Sequence, residues 1–209
     1  MNLHRTTGIP DWEMVAVSER TAIQKLAAQT NGYLTPANIA TVIGLMGIGI
    51  ALYLCSQQHY GLSLLVLVLA RACDIADGLL AEYTHTKSPL GETFDASADK
   101  IGSAALILGF IAYEVLSWPV ALLLAIPQVI ITLLVLYGLR NNKRIHPSRA
   151  GKFSMFALGL TLFAFLASKT DALNNSRLFD GVTLGVTAVA VALSLWALQD
   201  YARQLLKAK

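Results

Sequence analysis

Residues 74–99 read DIADGLLAEYTHTKSPLGETFDASAD, and this stretch decides how the rest of the chain is interpreted. It contains four aspartates: Asp74, Asp77, Asp95 and Asp99. Long apolar runs lie on both sides of the stretch. Ionisable side chains are costly among helices that cross a membrane, and those that occur there usually mark a functional site. The question is therefore what compensates for the energetic cost of four carboxylates in this region.

The composition of the chain is that of an integral membrane protein. Hydrophobic residues make up 55% of its 209 residues and charged residues only 14%, whereas a soluble domain has about 25% charged residues. The formal net charge of +3 is too small to indicate a nucleic-acid partner. The first 30 residues carry charges and no apolar core before a cleavage site, so we expect no signal peptide. Cys55 and Cys73 lie in apolar stretches without metal-ligand spacing, which favours packing roles.

Six apolar segments approach the ~20 residues that a membrane-spanning helix needs. They cover residues 36–56, 60–82, 92–116, 118–139, 151–168 and 181–201. The fold class we expect is an all-α integral membrane protein, with six transmembrane helices in one domain over residues 36–209. Because the connections between the segments are short, neighbouring helices should be antiparallel.

Residues 1–35 are expected to form an N-terminal cytoplasmic segment beside the membrane. Within it, residues 11–30 predict an amphipathic helix. Four apolar residues can share one face of this helix: Trp12, Val15, Ile23 and Leu26. Such a helix suits the membrane interface, although packing on the helical bundle explains the pattern equally well. Thr35 followed by Pro36 is typical of a helix N-cap with proline at the first helical position.

Basic residues lie mainly on one side of the predicted bundle, and the cytoplasmic side of a membrane protein is normally the more basic one. With six spans, the termini and the 82–91 and 140–152 connections share a side that carries 12 Lys and Arg residues. The opposite side carries only Lys169 and Arg177. We therefore expect both termini and the acidic turn to be cytoplasmic, with the protein in the inner or plasma membrane.

The acids fall on two stripes if the residues on each side of the turn are helical. Each stripe combines two aspartates with two small residues: Asp74, Asp77, Gly78 and Ala81 on the first, and Gly91, Asp95, Asp99 and Gly102 on the second. Antiparallel helices can direct both stripes into one cavity open to the cytoplasm. Four carboxylates in one cavity need cations, and Mg²⁺ or Mn²⁺ fit best because they prefer carboxylate oxygen and keep substrate phosphate in their shell. Two such ions can stabilise charge during displacement at phosphorus.

Two other interpretations stay open at this point. Intramembrane acids also form ion or proton paths, so a cation-coupled transporter is the alternative from a different functional class. The acids could also be structural partners of Arg71 and Lys100. Four acids at this spacing, with small residues on the same stripes, favour a metal site over both alternatives.

The spacing D-x2-D-G-x2-A-E-x8-G-x3-D-x3-D closely resembles the signature of the CDP-alcohol phosphotransferase family, D-x2-D-G-x2-A-R-x8-G-x3-D-x3-D, at seven of its eight fixed positions. The six-span pattern and the segment ahead of it are similar too. The resemblance implies an enzyme that takes a CDP-linked lipid, usually CDP-diacylglycerol, transfers its phosphatidyl group to an alcohol and releases CMP. It also implies a homodimer.

Carried over by position, the resemblance implies a role for each aspartate. Asp74, Asp77 and Asp95 look like metal ligands. Asp99 looks like the general base that takes the proton from the acceptor hydroxyl, and like a contact to a second metal.

The resemblance also implies residues that line the CDP-lipid site. Gly78, Ala81 and Gly91 look like the lining of its cytidine and pyrophosphate parts. Asn38 and Thr41 resemble an Asn and a Thr that the family often has on the first span, although here they lie one residue farther from the preceding proline than usual.

Glu82 departs from the signature, which has arginine at this position. An anion therefore replaces a cation beside the site expected for pyrophosphate. Arg71 and Lys87 are the candidates for supplying the missing charge. We expect Glu82 to be tolerated rather than inactivating.

The connection LRNNKRIHPSRAGKFSM, residues 139–155, predicts a phosphate site. Arg149 and Lys152 are three residues apart at the start of the fifth span, beside helix N-terminal amides, and Arg140 precedes them. Such a site suits an anionic acceptor such as glycerol 3-phosphate. His85 and His146, both in connections, are expected to be solvated.

Two short runs bear on the acceptor. ADK after the last aspartates and GK at the start of the fifth span resemble segments of phosphatidylglycerophosphate synthases and the related cardiolipin synthases. The reaction favoured by the sequence is transfer from CDP-diacylglycerol to glycerol 3-phosphate. The alternatives within the same class are a cardiolipin synthase, with phosphatidylglycerol as acceptor, and an inositol-phosphate or serine phosphatidyltransferase.

Overall fold

The structure is a computed structural model that describes residues 10–141, 148–173 and 176–207. Inside its helices, six side chains are not described: Asp74, Ile75, Asp77, Ala96, Leu139 and Lys207. Every regular element of the described residues is helical. A 3-10 turn at Asp11–Met14 is followed by α1 (Ala22–Gln29), α2 (Pro36–Ser56), α3 (Tyr60–Tyr83), α4 (Pro89–Ala112), α5 (Trp118–Arg140), α6 (Arg149–Ser168) and α7 (Arg177–Lys207).

Helices α2 to α7 lie on the six apolar segments that the sequence predicts. Their bounds differ by a few residues, mainly because capping residues rather than hydropathy fix where each helix begins. The clearest case is α2, where the Thr35 hydroxyl accepts a hydrogen bond from the Asn38 N–H at 3.2 Å and Pro36 is the first helical residue. The predicted cap of α2 is therefore confirmed.

Four helices in the described part of the chain are long and apolar enough to cross a membrane: α2, α5, α6 and α7. Helices α3 and α4 are not among them, although each has 24 residues. The reason lies in their composition, because their facing ends carry the acids of the 74–99 stretch. The fold class is thus all-helical and membrane-embedded, with four apolar spans established by composition.

The predicted continuous helix over residues 11–30 is wrong. Thr21 is extended and caps α1, since its side chain accepts a hydrogen bond from the Gln24 N–H and the Gln24 side chain accepts one from the Thr21 N–H. Helix α1 therefore begins at Ala22 and exposes Ile23 and Leu26. Trp12 does not share their face, because it is only 3% exposed.

Trp12 instead packs at the turn between α1 and α2. Gly32 there has a φ of +83°, and a Cβ on it would lie 2.8 Å from the Trp12 ring. Only glycine meets both the conformational and the steric requirement. The indole therefore anchors the N-terminal segment to the start of α2.

The chain forms two compact units, and the first takes residues up to Gln57 together with Leu65–Ser103. Its helices approach closely through small residues. A Cβ on Gly47 of α2 would lie 2.8 Å from the Cβ of Ala70 on α3, and one on Gly102 of α4 would lie 2.7 Å from Ile48. Small residues at such crossings are typical of membrane helices, whose backbones gain contact by close approach. This unit contains the whole 74–99 stretch.

The second unit takes Gln58–Leu64 and the chain from Ala104 onward. Helices α5, α6 and α7 pack there around an apolar cluster: Ile131, Ala150, Ala197 and Tyr201. The same helices share a buried polar contact, in which Gln128 donates to Ser154 at 2.7 Å and to Ser194 at 3.2 Å. Hydrogen bonds of this kind fix how membrane helices pair, because no water competes for them.

Candidate active site

The turn between α3 and α4 brings the two acidic helix ends together. The Thr86 N–H donates to the Ala81 carbonyl at 3.0 Å as α3 ends. The Ser88 hydroxyl accepts from the Gly91 N–H at 3.0 Å and so caps the start of α4. The N-terminal segment fixes this turn from outside, since the Asp11 N–H donates to the Lys87 carbonyl at 3.0 Å and the Asp11 carboxylate accepts from the Lys87 N–H at 3.1 Å.

A cavity of about 360 Å³ opens between the start of α2, the end of α3 and the start of α4. Its lining residues come from all three helices and the turn: Thr35, Ala37, Asn38, Thr41, Gly78, Ala81, Glu82, Thr86, Lys87, Ser88, Gly91, Glu92 and Asp95. All five residues predicted to line a CDP-lipid site lie on this one cavity. Their roles as ligands stay predictions, but the structure brings them together.

Small residues keep this cavity open. A Cβ added to Gly78 would meet nothing within 4 Å, so the missing side chain leaves free volume. A Cβ on Gly91 would lie 3.3 Å from the Ser88 hydroxyl and 3.5 Å from the Asn38 amide oxygen. Larger side chains at either position would therefore occupy the cavity.

Asn38 and Thr41 are held by the backbone of their own helix start. The Asn38 side-chain amide donates to the Gly32 carbonyl at 2.9 Å and to the Tyr33 carbonyl at 3.1 Å. The Thr41 hydroxyl donates to the Ala37 carbonyl at 3.1 Å. Both side chains are therefore fixed in place, and Asn38 also links the Gly32 turn to the cavity wall.

Asp95 and Asp99 lie one turn apart on α4 and have different surroundings. Asp95 is half-buried and lines the large cavity. Asp99 accepts a hydrogen bond from Arg71 Nη1 at 3.0 Å, an ion pair between α3 and α4. Arg71 and Asp99 line a second pocket of only about 10 Å³. Arg71 thus contacts the residue predicted to be the general base.

Asp74 and Asp77 are in α3, but their side chains lie outside the described residues. Within the described side chains, no group of three or more His, Cys, Asp and Glu residues is placed to hold a metal ion. The donor set still fits a hard divalent cation by its chemistry, because all four predicted ligands are carboxylates. Asp95 at the cavity wall is the described member of that set that faces space for a substrate.

Glu82 is paired with a cation in the same cavity. Lys87 Nζ lies 3.3 Å from Glu82 Oε2. The Lys87 side chain is 29% exposed and the Glu82 side chain 68% exposed. Of the two cations predicted to replace the signature arginine, Lys87 therefore shares a cavity with Glu82, whereas Arg71 contacts Asp99.

The predicted acceptor-phosphate residues flank the connection between α5 and α6. Arg140 is the last residue of α5, Arg149 is the first of α6, and Lys152 follows on its first turn. All three are exposed. The Ser148 hydroxyl accepts from the Gly151 N–H at 2.9 Å and caps α6. The other basic residues and His146 of this connection lie outside the described residues.

Two contacts at the site were not predicted. Ser88 caps α4, and the Ser-Pro pair at the helix start could have indicated this. Asp11 fixes the turn from a position 76 residues away, so no local pattern could have found it. His85 is exposed, as expected.

Comparisons with known proteins identify the family of the chain. The profile of the CDP-alcohol phosphatidyltransferase family matches residues 34–196. A cardiolipin synthase (CMP-forming) of Streptomyces coelicolor is 29% identical over 153 residues, which cover 70% of this chain and 70% of that protein. A cardiolipin synthase (CMP-forming) of Rattus norvegicus is 27% identical over 115 residues, which cover 53% of this chain and 38% of the rat protein. The chain belongs to the CDP-alcohol phosphatidyltransferase family.

Proposed function

We propose that the protein is a cardiolipin synthase, which transfers the phosphatidyl group of CDP-diacylglycerol to a hydroxyl of phosphatidylglycerol and releases CMP. The observation that carries the proposal is the cavity of about 360 Å³, on which Asp95 and all five predicted CDP-lipid residues lie. Membership of the family supports the reaction class. The two relatives, both named cardiolipin synthase (CMP-forming), support the acceptor.

This choice of acceptor revises the expectation from the sequence. Glycerol 3-phosphate was favoured because Arg149 and Lys152 can bind phosphate. Phosphatidylglycerol also carries a phosphate, so the same two cations fit it equally well. The basic pair therefore indicates an anionic acceptor without distinguishing the two, and the relatives favour phosphatidylglycerol.

In the proposed reaction, the acceptor oxygen forms a bond to the phosphorus that carries diacylglycerol. The bond from that phosphorus to the oxygen of CMP breaks, and the acceptor proton passes to Asp99 as general base. Arg71 pairs with one Asp99 oxygen at 3.0 Å and so orients the carboxylate. Arg71 is thus a positioning residue for Asp99.

The family is generally dependent on a divalent metal. Asp74, Asp77 and Asp95 would hold such an ion, Mg²⁺ or Mn²⁺, and Asp99 would reach a second one. When bound, the ions neutralise charge on the pyrophosphate and the departing CMP. The small residues Gly78 and Gly91 leave room for the nucleotide beside these carboxylates.

A phosphatidylglycerophosphate synthase is the second candidate. It stays open because Arg149 and Lys152, on the first turn of α6, fit the phosphate of glycerol 3-phosphate as well as that of phosphatidylglycerol. A cation-coupled transporter remains the alternative from another class, and it predicts no CMP release.

We also propose that α3 and α4 cross the membrane, giving six spans with both termini cytoplasmic. Each has 24 residues, or about 36 Å of helix against a hydrocarbon core of about 30 Å. Their charged ends would meet at the cytoplasmic surface, where water-soluble metal and CMP can enter and leave.

A panel of acceptors tests the proposal. Purified protein would receive labelled CDP-diacylglycerol, Mg²⁺ or Mn²⁺, and phosphatidylglycerol, glycerol 3-phosphate, inositol 1-phosphate or serine in separate reactions. We expect the fastest CMP release with phosphatidylglycerol, and cardiolipin as the product by mass spectrometry. A faster reaction with glycerol 3-phosphate would favour the second candidate, and a failure to release CMP with any acceptor would refute the reaction class.

A further inference from the structure

We propose that Lys87, in the turn between α3 and α4, binds the pyrophosphate of the CDP-linked substrate, with Glu82 and Asp11 as its positioning residues. The inference rests on the proposed function, because it assigns a further binding residue to the same cavity. It begins from the charge on the cavity wall. Among the described lining residues, Lys87 is the only cation, whereas three are acids: Glu82, Glu92 and Asp95.

An anionic pyrophosphate would meet repulsion from such a wall without a cation beside it. Metal ions held by the aspartates would neutralise part of the substrate charge. Lys87 enters from the turn and so offers a second positive contact. A lysine ammonium is a compact donor that binds phosphate as a point charge.

The backbone of Lys87 is fixed by Asp11, and its ammonium is paired with Glu82. Its ammonium lies 3.3 Å from the Glu82 carboxylate. Its N–H and its carbonyl both bond to Asp11, at 3.1 Å and 3.0 Å. The residue before it, Thr86, is buried, and its hydroxyl lies 2.8 Å from that of Thr84. Because the backbone of Lys87 is already fixed, binding a ligand orders fewer groups than it would in a mobile turn.

The pairing with Glu82 alone does not account for this arrangement. Glu82 is 68% exposed, and exposed ion pairs contribute little to stability. Lys87 is the more enclosed partner, and its backbone is fixed from a distant part of the chain. A lysine whose backbone is fixed at the cavity wall fits a binding role better than neutralisation of a solvated carboxylate.

Arg71 is placed less well for this role than Lys87. It pairs with Asp99 at 3.0 Å and is not among the described residues that line the large cavity. The cationic role that the family signature gives to the residue at position 82 has therefore moved five residues along the chain, to Lys87. Glu82 then acts as its anchor.

CDP and cytidine binding test the inference, because neither needs an acceptor or turnover. Calorimetric titration of the purified full-length protein with CDP and Mg²⁺ should show about tenfold weaker binding for Lys87→Ala, as expected when one charge-assisted contact is lost. Cytidine affinity should not change, because cytidine has no phosphate. Lys87→Arg should stay within about threefold of the wild type. Lys25→Ala, which removes an exposed lysine of α1 outside the cavity, should bind CDP like the wild type.

A charge exchange gives a second readout. Lys87→Glu should weaken CDP binding more than Lys87→Ala, and adding Glu82→Lys should recover at least part of the loss, because a cation then faces the cavity again. Unchanged CDP affinity in Lys87→Ala would overturn the inference. So would an equal loss of CDP and cytidine binding with a lower melting temperature, since that pattern reports a structural role. A lack of CMP release with intact, Lys87-dependent CDP binding would refute the proposed function and leave this inference standing.

Discussion

At the scale of single residues, the surroundings of Asp95 and Asp99 differ, as do the tasks that we propose for them. Asp95 faces the large cavity, where a metal-bound pyrophosphate would lie. Asp99 is paired with Arg71 at 3.0 Å and faces a separate small pocket. Spacing along α4 predicted that the two acids share a face, but it could not predict which of them Arg71 contacts, because that contact joins two helices.

We predict that substituting Asp95 and substituting Asp99 have different effects on metal binding, turnover and CDP affinity. Asp95→Asn should abolish both turnover and metal binding, because an amide is a weak ligand for hard cations. Asp99→Asn should lower kcat by about a hundredfold or more, as expected when a general base is lost, while CDP affinity falls much less. The measurements are CMP release, Mn²⁺ binding and CDP titration. Asp180→Asn, which changes an exposed aspartate of α7, is the matched control. Full activity in both Asp95→Asn and Asp99→Asn would refute the mechanism.

At the scale of elements, the small residues of α3 and α4 leave free volume in the cavity where we propose that the nucleotide binds. The sequence predicted this from the positions of Gly78, Ala81 and Gly91 on the aspartate stripes. It could not predict the volume, which depends on how α2 closes the third side. Nor could it predict that the turn is fixed by Asp11, since that contact spans 76 residues.

Filling this space should block the substrate without unfolding the protein. We predict that Gly78→Leu weakens CDP binding at least tenfold, about 1.4 kcal/mol or more, because the new side chain enters the cavity. Its melting temperature should stay near the wild-type value, since an added Cβ meets nothing within 4 Å. Gly49→Leu is the control, as a Cβ there also meets nothing within 4 Å but lies on α2 away from the cavity lining. Normal CDP binding by Gly78→Leu would contradict the assignment of the cavity.

The start of α6 depends on a close contact with α7. A Cβ on Gly151 would lie 2.7 Å from the Tyr201 hydroxyl, which accepts a hydrogen bond from the Ser148 N–H at 3.4 Å. We predict that Gly151→Ala destabilises the protein by about 1–3 kcal/mol through this clash, which thermal unfolding in detergent would show as a lower melting temperature. Gly159→Ala is the control, because it gives α6 the same gain in helix propensity and its added Cβ meets nothing within 4 Å. Its melting temperature should be no lower than that of the wild type. Equal melting temperatures of Gly151→Ala and Gly159→Ala would mean that the Tyr201 side chain moves away from the added methyl group at no cost, which contradicts the prediction.

At the scale of the whole molecule, hydropathy predicted the six long helices because membrane helices satisfy their own backbone and need only an apolar surface. The same reasoning failed for residues 11–30. There the apolar period suggested one helix, but the Thr21 cap and the burial of Trp12 divide the segment. Capping and tertiary contacts decide short elements, whereas hydropathy decides long ones.

The number of spans has a direct test at the α3–α4 turn. If α3 and α4 cross the membrane, Tyr83 lies on the same side as Lys25; if they do not, it lies on the side of Asp171. We predict that Tyr83→Cys, at a site that is 85% exposed, is labelled by a membrane-impermeant maleimide from the side that labels Lys25→Cys. The background would replace Cys55 and Cys73. Labelling of Tyr83→Cys from the side that labels Asp171→Cys would reduce the number of membrane spans to four.

The rate of CMP release from CDP-diacylglycerol with phosphatidylglycerol is the decisive measurement of the proposed activity. We expect release by the purified wild-type protein in the presence of Mg²⁺ or Mn²⁺, with one cardiolipin formed for each CMP. Release should stop when the metal is chelated and should be absent in Asp95→Asn. CMP release that persists in Asp95→Asn or in chelator, or a wild-type protein that releases none with any alcohol, would contradict the proposed activity.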